Sequence, residues 1–114
     1  MFMLSTVALL SAATAGMADA ETSRVNYSNC LTDFTVTHLT QKTARGPFKK
    51  AVKDACTDER SAMIAAMKKD ELEFGSTEQE ATTYATEEAD GVLFAFTDGY
   101  AGYMSSGTMP VKEE

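Results

Sequence analysis

The sequence predicts an all-α domain, a small bundle of three or four antiparallel helices stapled by one disulfide. Three observations carry that prediction. Apolar residues recur at the i, i+3, i+4 spacing of amphipathic helices in three successive segments. Gly46-Pro47 and Gly75 separate those segments by short connections, which favour antiparallel neighbours. The chain has 2 cysteines, Cys30 and Cys56, one on the apolar stripe of each of the first two segments.

A length of 114 residues bounds the chain to one domain. It opens "MFMLSTVALLSAATAGMADA", an apolar run from Phe2 to Ala13 followed by small residues and the A-x-A pattern Ala18-Asp19-Ala20. Residues 1–20 therefore read as a cleaved signal peptide, although the n-region lacks Lys and Arg. Ser, Thr and Gly interrupt the run, which falls short of the roughly 20 apolar residues a spanning helix needs. The expected location is periplasmic or secreted, with no membrane association after cleavage. Residues 21–104 form the expected helical domain and 105–114 a disordered tail.

Glu21 to Asn26 reads as a polar leader with Asn26 as an N-cap, its side-chain oxygen meeting a first-turn N–H. The first helix then carries Tyr27, Cys30, Leu31, Phe34, His38 and Leu39 on one side. Threonine fills many positions between them and is a mediocre helix former, because its branched Cβ restricts rotamers. Pro47 suits the first turn of the next segment, where its missing N–H has no intrahelical partner to lose. The stripe there is Phe48, Val52, Ala55, Cys56, Met63, Ile64 and Met67. One helix from 47 to 73 or two helices broken at Thr57-Asp58 both satisfy it. Gly75 ends the segment.

The third helix opens with Ser76 and Gln79 as a capping box, and Glu78 and Glu80 lie in its first turn, where the helix dipole favours anions. Ala81, Tyr84, Ala85, Glu88, Val92, Ala95 and Phe96 keep helical spacing. Residues 92–97 lie between two Asp-Gly pairs and also fit a strand. Helix is preferred, since no second candidate strand exists to pair the backbone groups.

Export places both cysteines in an oxidising compartment, where a Cys30–Cys56 disulfide persists. Other cysteine chemistries fit less well. A zinc site usually takes four ligands, often in close pairs, whereas this chain has 1 histidine and no C-x-x-C. His38 follows Cys30 by eight positions, about 12 Å along a helix, too far for a direct hydrogen bond, although Cys56 could approach it from the next helix. His38 reads as a half-buried or surface histidine, with a pH-responsive group on the inner helix face as the sharper alternative. No nucleophile elbow, P-loop, dinucleotide fingerprint or H-E-x-x-H motif occurs, so neither an enzyme nor a cofactor or metal is expected.

The net charge is −7. Residues 21–75 hold 9 basic and 8 acidic groups, and residues 76–114 hold 1 basic and 8 acidic. That balance argues against nucleic acid and against anionic lipid, which both need an excess of cations. Glu78, Glu80, Glu87, Glu88 and Asp90 read as a solvated acidic face, which Lys49, Lys50 and Lys53 either oppose or leave for solvent. Val92, Phe94, Phe96, Tyr100 and Tyr103 go nearly all round the third helix, so they are divided between core and a surface for a protein partner, a homodimer or a client. Gly99 and Gly102 would admit another backbone or fray the helix end.

Two short pieces, "CLTDF" (Cys30 to Phe34) and "ACTDER" (Ala55 to Arg60), resemble the acid-stress chaperones of the bacterial periplasm. That family is small, exported, all-helical and closed by one disulfide between two such segments. Here the chain between the cysteines is shorter, and the third helix has no counterpart in the family. The pattern is also similar to small exported proteins of Gram-negative bacteria. The resemblance carries no catalytic residues. It implies that acid, by neutralising carboxylates and leaving the basic groups to repel, loosens the domain and exposes residues 92–104. Two functions are thus expected: a non-enzymatic protein-interaction module, or a periplasmic acid-stress chaperone that exposes its apolar third helix at low pH.

Overall fold

The computed structural model describes residues 19–114, beginning at Asp19. The Asp19 carboxylate accepts a hydrogen bond from the Thr22 N–H at 2.7 Å, an N-cap that starts α1 (Ala20–Thr40). The helix therefore begins well before Tyr27. Asn26 is an exposed mid-helix residue, and Glu21 to Asn26 is helix, not a loose leader. The reason lies across the bundle: Ser23 is buried one turn before Tyr27, so tertiary packing extends the helix upstream. All but the last two residues of the expected signal peptide lie outside the described residues.

Among the described residues the remaining elements are α2 (Arg45–Lys53), α3 (Thr57–Glu73) and α4 (Glu78–Ser106). The expected all-α bundle closed by one disulfide is the fold observed. Residues 92–97 are helical, and Pro47 sits in the first turn of α2. The break between α2 and α3 occupies Asp54 to Cys56, just before the Thr57-Asp58 pair, with Cys56 in the left-handed region at φ 61°.

Two helix ends share one solution. After α1 the Lys42 N–H bonds the Leu39 carbonyl and the Thr43 N–H bonds the His38 carbonyl, with Lys42 left-handed at φ 56°. After α3 the Gly75 and Ser76 N–H groups bond the Leu72 and Glu71 carbonyls, with Gly75 at φ 99°. Both are Schellman motifs, which satisfy carbonyls that the helix leaves unpaired. The capping box of α4 is shifted one residue from the expected pair. Thr77 Oγ1 accepts from the Glu80 N–H at 3.1 Å, and Glu80 accepts from the Thr77 N–H at 2.9 Å. Ser76 is instead taken up by the turn, its hydroxyl bonding Glu71.

α3 runs antiparallel to α4, as the ion pairs Arg60–Asp90 and Lys68–Glu78 require. It is also antiparallel to α1, so α1 and α4 lie parallel. The core is formed by Tyr27 and Leu31 of α1, Phe48 and Val52 of α2, Met63 of α3, and Ala89, Phe96 and Tyr100 of α4. Small residues set the spacing. Ala81, Ala85 and Ala89 recur every four positions down the buried side of α4, and α1 buries Ser23, Ser28, Thr32 and Thr35. The Thr32 hydroxyl bonds the Ser28 carbonyl at 2.9 Å, so its burial leaves no orphaned donor. α3 and α4 form a hairpin tied by the Lys68–Glu78 pair, and at its tip Phe74 is 88% exposed.

The last residues do not match the expected disordered tail. α4 continues to Ser106, Gly107 ends it at φ 71°, and residues 108–114 run back along α1. Glu113 and Lys112 bond Arg24, Asn29 and Asp33.

Candidate functional site

The disulfide joins the middle of α1 to the start of α3. Cys30 and Cys56 lie 2.06 Å apart at sulfur and 6.0 Å at Cα. Cys56 has no side-chain capping role at the α3 N-terminus; its unusual backbone turns the chain so that its sulfur reaches α1. Both cysteines are half-buried in an open groove of about 380 Å³ that also includes Phe34, Thr37 and His38. Glu59 approaches the two sulfurs within 4.8 Å, but sulfurs joined to each other offer no thiolate to a metal. The bridge belongs to an oxidising, non-cytoplasmic setting. Among the described residues no helix is long and apolar enough to cross a membrane.

An aromatic stack extends from that groove to α4. The Phe34 and His38 rings are centred 4.4 Å apart, His38 meets the edge of Phe48 at 5.7 Å, and Phe48 stacks on Tyr100 at 3.8 Å. His38 Nδ1 lies 2.8 Å from Thr43 Oγ1. The Tyr100 hydroxyl donates to the Thr43 carbonyl at 2.7 Å, and burial pushes its pKa up. The α1–α2 turn is thereby tied twice, once from each neighbouring helix. His38 is a half-buried member of this stack, not part of a Cys–His pair.

The five residues expected to form a partner surface do not come together. Tyr100 is fully buried and Phe96 is 8% exposed, so both are core. Sequence spacing leaves them divided between core and surface because it does not show that α4 meets α1, α2 and α3 on different sides. Val92 packs half-buried against the core, and Phe94 points outward at 64% exposure. Val92 and Phe96 border a groove beside Arg24 and Glu113, whereas Tyr103 joins a separate one of about 310 Å³ at the ends of α1 and α4. Leu39, Tyr103, Met104 and Met109 supply its apolar wall, and Lys42 stands beside them. Met104 and Met109 remain close to half exposed. The glycines admit no other backbone: Gly102 faces open space, and Gly99 meets only the Tyr103 ring at 3.4 Å.

The acidic side chains of α4 are exposed, with Asp90 engaged by Arg60 at 2.6 Å. Burial pulls the Arg60 pKa down, but Tyr27 and Asp90 more than offset it, so Arg60 stays charged across the α3–α4 seam. Lys49, Lys50 and Lys53 are exposed on α2. The groove beside Met104 had one legible signal, the aromatic Tyr103. Its other residues, Leu39, Lys42 and Met109, are joined only by the fold. No family model, curated protein or solved structure matches the chain.

Proposed function

We propose that this chain is a small exported, non-enzymatic protein-interaction module of the periplasm or the secreted space. The observation that supports the reading best is the apolar groove of Leu39, Tyr103, Met104 and Met109. Methionines are flexible and polarisable, so a wall of them adapts to an apolar side chain brought by a partner. Lys42 at the rim selects among such partners, favouring an apolar anchor with a carboxylate beside it. The signal-like opening and the Cys30–Cys56 bridge support export. Cleavage after Ala20 removes the Asp19 cap, so the first turn of α1 frays in the mature protein.

Cross-linking of the mature protein in its native host, with wild type compared against Met104→Asp, tests the reading. Met104 is exposed enough that the variant keeps its circular dichroism. A partner joined to wild type and lost with Met104→Asp supports the module. Identical products from both proteins, or none from either, would discard it.

The acid-stress chaperone is the second reading, supported by carboxylates held at structural positions. Hydrogen bonds from Thr22, Arg24 and Thr77 depress the pKa values of Asp19, Glu21 and Glu80, and those from Arg24 and Ser28 depress that of Glu113. Depressed carboxylates add stability at neutral pH that disappears as acid protonates them. The loosened chain would uncover Phe96 and Tyr100 while the bridge holds α1 to α3. Light scattering of an aggregating client at pH 2–3 decides it: an unchanged signal in the presence of the oxidised protein removes this reading.

A further inference from the structure

The tail is bound as a peptide ligand would be. Asn29 Nδ2 donates to the Glu113 carbonyl at 2.9 Å, and the Glu113 N–H donates to Asn29 Oδ1 at 2.8 Å. One side chain thus supplies the paired main-chain bonds that a neighbouring strand would give. On one side Arg24 forks onto the Glu113 carboxylate at 2.8 and 3.1 Å. On the other, Lys112 reaches Asp33 at 2.9 Å. Arg24, Asn29 and Asp33 follow one another along α1, and backbone, acid and base of the tail are each met. A planar guanidinium fork matches a carboxylate in both distance and direction, which makes the contact selective.

The same tail contributes nothing to the core. Residues 108–114 are exposed except for half-buried Pro110. Its root is Gly107, left-handed at φ 71°, where an added Cβ would meet no neighbour. Ligand and receptor are therefore joined by a surface hinge, and the tail itself carries no fully buried side chain. Eight residues from Gly107 to Glu114 reach roughly 26 Å when extended, enough to bridge to a neighbouring molecule.

We infer that the Arg24, Asn29 and Asp33 side chains of α1 take the C-terminal segment of a second copy of this chain, so that two molecules associate by exchanging tails. Every copy carries the one peptide these side chains are seen to fit, and exchange preserves each bond while requiring no new surface. A short tether holds the resident tail at an effective concentration of about millimolar, so the closed monomer prevails when dilute and exchange grows as protein concentration approaches that level. This interface uses neither Tyr103 nor Met104, although the tail carries Met109 of the groove wall, so the Met104→Asp and Glu113→Pro variants test the two readings separately.

Complementation between two full-length variants tests the exchange. A donor with Arg24→Ala and Asn29→Ala keeps its tail and lacks a receptor. A receptor with Glu113→Pro lacks the N–H and carboxylate of its own tail and keeps the α1 side chains. By sedimentation equilibrium at about 1 mM, the mixture should contain at least tenfold more dimer than either variant alone. Circular dichroism checks that each is folded, and Asp33→Lys replaces the donor if the double substitution disturbs α1. A mixture no more associated than its components overturns the proposal. So does association that survives when the donor also carries Glu113→Pro.

Discussion

Replacing Cys30 and Cys56 with serine should cost this domain about 3.5 kcal/mol. The bridge closes a loop with a sequence separation of 26. In the chain-entropy relation, a loop of that length removes about 12 cal/mol/K from the unfolded chain, which gives the figure at 25 °C. For a domain of this size the loss corresponds to a fall of roughly 15–25 °C in Tm. The backbone at Cys56 makes a second, separable prediction. At φ 61° a side chain with a Cβ pays about 1 kcal/mol or more, and glycine does not. The pair Cys30→Ser with Cys56→Gly should therefore be about 1 kcal/mol more stable than the double-serine protein. Urea unfolding followed by circular dichroism measures both differences at pH 7. A double-serine loss below about 1 kcal/mol would refute the loop-closure reasoning. Glycine no better than serine would refute the claim that the position is strained.

Other expectations concern the seams between helices. Tyr100→Phe removes the bond to the Thr43 carbonyl and should cost about 1 kcal/mol in urea unfolding, with the ring stack on Phe48 retained. Ala89→Leu forces extra volume into the fully buried side of α4 and should cost about 1–3 kcal/mol by the same assay. Glu80→Gln keeps the capping box and removes the carboxylate whose pKa the Thr77 backbone N–H, and after it the Thr77 side chain, hold below its ordinary 4.5. Since a depressed carboxylate stabilises above its unfolded pKa and loses that contribution as pH falls through its folded value, the variant should be less stable than wild type at pH 7 and level with it at pH 2. Thermal unfolding at the two pH values reads the difference.

Local structure could be read from the order of residues alone. Periodicity, Pro47 in a first turn and Gly75 at a helix end specify helices because each acts through the backbone within one or two turns. The cysteine pairing was legible for a simpler reason: there were only two. Tertiary structure decided the rest. Asn26 did not start a helix, because buried Ser23 anchored the turn before it. Cys56 took a left-handed backbone, which is where α3 must begin if its sulfur is to meet α1. Phe96 and Tyr100 went inside while Phe94 stayed out, since α4 touches three helices on different sides. Glu113 found Asn29 across 84 positions, a pairing with no periodicity to announce it. Side-chain spacing reports which residues share a face, and only packing reports what that face meets.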